Sequence, residues 1–466
     1  MIDRRTMIGR LLALLAANGF RRASATQVAS RVFDVHDFGA VGDGRTTDTA
    51  AIQHAIEAAA KAGGGARVLL RAGHFYLTGP LHLAGGIDLH LAGDARLLVS
   101  ADPRDYDPKR QSALWADGAD RLSISGTGTI DGRSAEFMDH YDRENEWWVP
   151  KPFRPRLLVI ENSADIVLCD LTFRNAPSWT VHLLGCRRVL VDHVTIANQL
   201  DVPNCDGIDP DHCQDVEIRN CHITCGDDAI VIKTTRGHDH YGPSHNIRVH
   251  DCVLETQDSG LKIGTETCQD IYDVRFERCR IVTSCRGLCV QLRDEGDVHD
   301  ILFRDIEFAS RYHSPPWWGR GEAISFTAIP RDPGTRTGTI RRITVENVTG
   351  RAENSIRIEG LGGSRVSDVT LRKVAVAFDR WTAYPGGVFD NRPTSATEPL
   401  EPHDTPAISI RHSDRITLDR CTVAWGHNPP DYFTHAIEAE DVTRLERRHF
   451  TGAAAHPARQ AAIVIR

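Results

Sequence analysis

One eight-residue pattern of alternating apolar and polar positions recurs along the chain: "IVLCDLTF" from Ile166, "VLVDHVTI" from Val189, "VEIRNCHI" from Val216, "IRVHDCVL" from Ile247, "VRFERCRI" from Val274 and "ILFRDIEF" from Ile301. The starts are 23, 27, 31, 27 and 27 residues apart. Later copies begin at Ile343, Val369 and Ile416, and a partial earlier one lies near Leu122. Each is rich in β-branched residues and broken by a polar pair, which predicts strand, turn, strand. A period in the twenties built of short strands predicts a parallel β-solenoid, in which every coil packs on the one before it. The fold class expected is therefore all-β.

One segment has a different period. In "TAAIQHAIEAAAKAGGGA", Ala51, Ile52, Ile56 and Ala59 share a helical face, Thr47 or Asp48 is placed to cap the start, and Gly63 to Gly65 end it. Such a helix would plug the open end of the solenoid and cover its unpaired strand edge. Cys221, Cys252, Cys279 and Cys421 occupy one position of their octets, which predicts a ladder of free thiols packed as small core side chains. No CxxC pair supports zinc, and the sequence gives no reason to expect a cofactor or metal.

Composition refines this picture. A chain of 466 residues with 41% apolar content can bury a large core, and a solenoid can use that length as one domain, expected over 26–466. The formal charge of -8 speaks against nucleic acid as a partner. Residues 1–25 read as a twin-arginine-like export signal: Arg4 and Arg5, a short apolar run from Leu11, and Ala23-Ser24-Ala25 as a cleavage site. The expected location is thus periplasmic or extracellular. No later stretch is apolar for long enough to span a bilayer.

The repeat also supplies a register for the chemistry. Twelve residues past each octet start lie Ser178, Asp228, Ser259 and Arg286, and the coil from Val189, with five extra residues, places Asp206 in the same column. Asp227 precedes that column by one. Successive coils stack about 4.8 Å apart, so three carboxylates converge. Past the bend, Ile208, Ile230, Ile232, Leu261, Ile263, Leu288 and Val290 are expected to point inward, with Asp209, Asp211, Lys233, Lys262, Cys289, Gln291 and Arg293 outward. Asp residues at solenoid turns often only bond backbone N–H groups. Here, adjacent like charges at Asp227 and Asp228 push one proton affinity up beside other carboxylates, as glycosidic cleavage requires.

The segments "NCDGID" and "CGDDAI" resemble the N-T-D and G-D-D motifs of glycoside hydrolase family 28, the polygalacturonases and their relatives, with Cys205 in place of threonine. The opening "FDVHDFGAVGDGRTTDTAAIQHAI" is shared by many β-helix proteins and supports the resemblance more weakly. The resemblance implies a right-handed parallel β-helix and an inverting hydrolase of a pectin-like polysaccharide or oligosaccharide. In it, Asp227, or Asp206 with it, would activate water and Asp228 would be the general acid. Two family motifs differ. "DSGLKIGTE" puts Ser259 for a histidine and Lys262 for a serine, and Cys289-Val290-Gln291 stands where R-I-K would grip a uronate carboxylate.

Lys262 and Arg293 are candidate replacement cations; alternatively, the sugar at the acids is neutral. Asn204, Lys233 and Gln291 are further candidate substrate contacts, with Trp179 and His182 of "APSWTVH" as a sugar platform and a polar contact. The aromatic inserts "RYHSPPWWGRGE" and "ENEWWVPKPFRPR" are candidate cleft walls. A calcium-dependent polysaccharide lyase and a non-catalytic sugar-binding solenoid are the rival readings, and a monomer is the expected state.

Overall fold

The computed structural model describes residues 31–466; the export segment read at residues 1–25 lies outside the described residues. The chain winds into a right-handed parallel β-helix. A complete coil runs through three strands, such as Ile208–Asp211, Gln214–Arg219 and His222–Cys225. The next begins at Ile230–Thr234, in parallel register with the first.

The octets stack as the period predicts. Ile166, Val189, Val216, Ile247, Val274, Ile301, Ile343, Val369 and Ile416 pair successively, so their first residues form one column. All of these side chains are buried. A second aliphatic column, Val181, Ile208, Ile230, Leu261, Leu288, Ile324 and Ile356, lies beneath the sheet that carries the acids. Each fully buried side chain of this kind contributes about 1.5–3 kcal/mol. The columns thereby resist a one-residue slip, which would turn apolar side chains outward.

The break inside each octet is a single left-handed residue. Asp170, Asn220, Asp251, Asp305 and Asn347 have φ of 62, 54, 56, 56 and 54°. Asn and Asp tolerate that region better than other side-chain-bearing residues do. They also stitch coils together: Asn220 Nδ2 donates to Asp192 Oδ1 at 2.8 Å, and Asn347 Nδ2 to Asp305 Oδ1 at 2.5 Å. The residue after the bend carries the predicted thiol ladder. Cys221, Cys252, Cys279 and Cys421 are buried and free, and the first three each donate to the carbonyl two residues earlier.

The helix spans Thr49–Ala62 and buries Ala51, Ile52, Ala55, Ile56 and Ala59 against the first coils. Gly63 ends it, as expected, but the expected cap is different in kind. Asp48 stands at the N-cap position and makes no side-chain bond to the helix. Its carboxylate turns back and accepts from Val41 N at 2.6 Å and Gly42 N at 3.1 Å, tying the preceding loop to the helix start. The buried Asp48 therefore serves loop closure. Asp48→Ala should cost about 1–3 kcal/mol by leaving those N–H groups unpaired, read as a lower thermal midpoint. Asp48→Asn, which keeps an acceptor oxygen, should recover part of the loss.

Candidate active site

The strand order places one residue from each of several coils on a single cleft floor. Val181–Leu184, Ile208–Asp211, Ile230–Thr234, Ser259–Thr267 and Arg286–Leu292 are consecutive in this sheet. Ser259 pairs with Arg286. The Ile230–Leu261 and Ile208–Ile230 pairings then carry the column back through Asp228 to Asp206. One member needs correction. Val181 pairs with Ile208, so Trp179, and not Ser178, stacks below Asp206. The preceding turn holds one residue more than the common octet spacing allows.

Gly207 keeps these coils close: a Cβ there would lie 2.2 Å from Ala229 O, so no larger residue fits between Asp206 and Ile208. The loop before it is pinned by Cys205. Its thiol donates to Val202 O at 3.0 Å and accepts from Gly226 N at 3.0 Å. Asn204 is thereby presented in the left-handed region at φ 56°.

One oxygen from each of Asp206, Asp227 and Asp228 lies within 4.8 Å of the others. Their partners differ. Lys233 Nζ is 3.2 Å from Asp206 Oδ2 and 3.2 Å from Asp209 Oδ1, and it sits 3.8 Å over the Trp179 ring. Lys262 Nζ is 2.6 Å from Asp228 Oδ2, while Ser259 N donates to Asp228 Oδ1 at 3.2 Å. Asp227 has no ammonium partner; Asn204 Nδ2 donates to its Oδ2 at 3.3 Å, and Asn204 is in turn held by Arg154 at 2.9 Å.

Loss of bulk water and then the charges of Asp206, Asp258 and Asp228 push Asp227 well above the usual carboxylate range. Burial also raises Asp206, against the pull of Lys233. Both ammonium groups are raised despite burial, by Asp209 and Asp206 for Lys233 and by Asp228 and Asp258 for Lys262. The three acids form a donor set that a cation could share, as do Cys268, Asp294 and Glu295. Two of the three central carboxylates, however, already face an ammonium. In the second group, Arg331 bonds Asp294 at 2.8 Å and Arg236 bonds Glu295 at 3.1 Å.

Asp258, absent from the predicted set, also lines the cleft. It precedes Ser259 as Asp227 precedes Asp228, so the same register that identified the acids contains it. Burial and then Asp228 push it up to about 7, while Ser259 Oγ donates to it at 3.0 Å and Arg286 lies 3.4 Å away. Glu266 is a further lining acid. Both aromatic inserts reach the cleft, through Trp147, Trp317 and Trp318. They join edge to face at Trp147 and Trp317, 5.9 Å between ring centres, and through Ser314 Oγ donating to Asn145 O at 2.6 Å.

Three predicted contacts lie elsewhere. His182 is buried behind Trp179, bonded to Asp211 at 3.1 Å and Arg156 at 3.0 Å, and acts at most by fixing that ring. Gln291 donates to Arg392 O at 3.3 Å. Arg293 does not stand beside the acids: it is fully buried and donates to Thr327 Oγ1 at 3.1 Å and Asn391 O at 3.2 Å. A segment about one hundred residues later in the chain lies over that part of the sheet and takes up the outward side chains.

A solenoid wall carrying clustered carboxylates under an aromatic rim defines a carbohydrate-processing β-helix. The chain belongs to glycosyl hydrolases family 28, whose model matches residues 72–383, and is a glycoside hydrolase. It is 30% identical over 377 residues to a probable polygalacturonase of Vitis vinifera, covering 73% of this chain and 74% of that protein. An endo-polygalacturonase of Pectobacterium carotovorum is 23% identical over 72% of this chain and 85% of its own length. Among solved structures, the family 28 exopolygalacturonase of Yersinia enterocolitica shares the fold with a TM-score of 0.68 at 19% identity, covering 90% of this chain and 78% of that one.

Repulsion from Asp258 is one of the causes that raise Asp227, after burial and Asp206. Asp258→Asn removes that repulsion and should lower the Asp227 pKa, so the basic limb of a kcat/KM profile should move to lower pH. A basic limb left in place would show that Asp227 is not the titrating acid.

Proposed function

We propose that this chain cleaves O-glycosidic bonds of a pectin-like polysaccharide or oligosaccharide by direct displacement, with Asp227 as general acid and Asp206 and Asp228 together as the base. The observation that carries this is the asymmetry of partners: Asp206 and Asp228 each hold an ammonium, whereas Asp227 accepts only from neutral N–H groups, Asn204 Nδ2 and the Asp228 backbone. This reverses the division that the motif resemblance implied for Asp227 and Asp228. A general acid must carry a proton at the working pH, and crowding by carboxylates supplies that condition at Asp227. Asp227 and Asp228 both have each oxygen in a hydrogen bond, but of the two only Asp228 accepts one from an ammonium, that of Lys262.

In the reaction, Asp227 gives its proton to the leaving oxygen as the bond to the anomeric carbon breaks. A water held by Asp206 and Asp228 attacks that carbon and surrenders its proton to them. Proton transfer within the cluster then restores Asp227. Inverting enzymes commonly separate acid and base by about 6.5–9.5 Å, and retaining ones by about 5–5.5 Å, so the spacing here does not itself select inversion. The tethering of Asp206 and Asp228 does favour it. A nucleophilic carboxylate must reach the anomeric carbon, and these two are anchored to Lys233 and Lys262, better placed to orient a water.

The names of the relatives support a pectic substrate, and the aromatic rim supports a sugar chain. We further read residues 26–466 as one catalytic domain, exported after removal of residues 1–25 and active as a monomer. Among the described residues no helix is long and apolar enough to cross a membrane.

Each of Asp206→Asn, Asp227→Asn and Asp228→Asn should lower kcat on polysaccharide by about 10²–10⁴-fold. Only Asp227→Asn should keep substantial activity on an aryl glycoside whose leaving group needs no proton. NMR of the first product should show the inverted anomer, with activity unchanged by chelator. Retained configuration, or equal loss of aryl glycoside turnover in all three variants, would overturn the assignment.

A further inference from the structure

We propose that the sugar seated over the acids carries no carboxylate: the site takes a neutral hexose or 6-deoxyhexose. This rests on the hydrolase reading above and names the substrate class of the same site.

Five carboxylates line the cleft, Asp206, Asp227, Asp228, Asp258 and Glu266, against two cations, Lys233 and Lys262. Neither cation is free. Lys262 is 2.6 Å from Asp228, and Lys233 serves Asp206 and Asp209 at 3.2 Å, with Glu266 at 3.9 Å. A uronate drawn to either ammonium would have to displace an acid of the catalytic cluster.

Nor can a cation be supplied from the next coil. Lys262 pairs in register with Cys289, a buried neutral thiol, and Gln291 and Arg293 farther along that strand are covered by Asp390–Arg392. That cover is anchored: Arg286 and Arg392 approach Asp390 at 3.4 and 2.7 Å, and Gly319 N donates to it at 2.7 Å. These ion pairs are buried and would be costly to open.

What the cleft offers is the complement of a neutral sugar. Carboxylates accept hydrogen bonds from ring hydroxyls, and the half-buried indoles of Trp147 and Trp318 can pack on C–H surfaces. A negative ring substituent would meet Asp206, Asp228 and Glu266 in a poorly solvated site whose two ammonium groups are already engaged by those acids.

The test uses the full chain with 4-nitrophenyl α-L-rhamnoside, α-D-galactoside, α-D-galacturonide and the methyl ester of the galacturonide. A neutral glycoside should exceed the galacturonide in kcat/KM by about 1000-fold, the order expected for one unfavourable charge contact near 4 Å at an effective dielectric near 20. Methyl esterification should improve the galacturonide, and KM for the neutral substrate should not change with NaCl. Galacturonide as the best substrate, with a KM that rises with NaCl, would overturn the proposal. Tryptophan fluorescence titration of Asp227→Asn with rhamnose, galactose and galacturonate separates the two readings. Preference for a neutral sugar without turnover on any glycoside or polysaccharide would sustain the specificity and sink the hydrolase assignment, whereas tighter binding of galacturonate would sink the specificity alone.

Discussion

The parallel register of the coils is the constraint on which the site depends. Ile208, Ile230 and Leu261 stack in one buried column. Because side chains alternate along a strand, that column fixes the opposite parity for Lys233 and Lys262, and it sets Asp206 and Asp228 two residues before their strands, level with Ser259 at the start of the next. Hydrogen bonds between coils about 4.8 Å apart bring like charges closer than free carboxylates would choose. Hydrophobic burial over many coils is large enough to hold a locally unfavourable cluster in place, and Gly207 permits the close approach at its centre.

That cluster is balanced by placement more than by number. Lys233, Lys262 and Arg286, the last 3.4 Å from Asp258, are three cations against Asp206, Asp209, Asp227, Asp228 and Asp258, which favours protonation within the cluster. Asp227, which no ammonium faces, is pushed well above the usual carboxylate range, as is the fully buried Asp209, and Asp258 is pushed up to about 7. Removing one partner from a buried pair leaves an uncompensated charge and costs about 3–5 kcal/mol. Lys233 and Lys262 are thus structural necessities of the site as well as electrostatic ones, which leaves them poor candidates for recruitment by a substrate anion.

Much of this was legible in the sequence, because a solenoid turns spacing into contact. The octets gave the coil register through Ile416, and the acids, the thiol ladder and the two aromatic inserts followed from it. Asp258 was legible by the same arithmetic, one position before its column. Ser178 was misplaced because one additional turn residue moves Trp179 into the column. Arg293 was misplaced for a different reason. Its strand alternates as expected, but Asn391 and Arg392, remote in sequence, fold over that face and take its side chains as partners. Periodicity cannot foresee which later insert returns to which coil. The division of acid and base needed distances, since Asp227 and Asp228 are neighbours in the chain and differ only in which of them Lys262 reaches.

Chemistry and specificity therefore sit on different parts of the fold. The acids lie in the turns just before strands dictated by the core, where a change of register would unmake the solenoid. The rim comes from inserts at turns preceding the same sheet: the hairpin of Met138–Asp142 and Trp147–Pro150, the segment around Trp317, and the stretch through Asp390. Inserts at such turns leave the coil register untouched, so they can reshape the cleft while the acids stay fixed. Here the stretch through Asp390 closes over the coil that follows Lys262, at Arg286, Gln291 and Arg293. A catalytic floor set by stacking and a sugar pocket set by insertion can accordingly change independently, and in this chain the two cations lining the pocket are already engaged by the carboxylates of the floor.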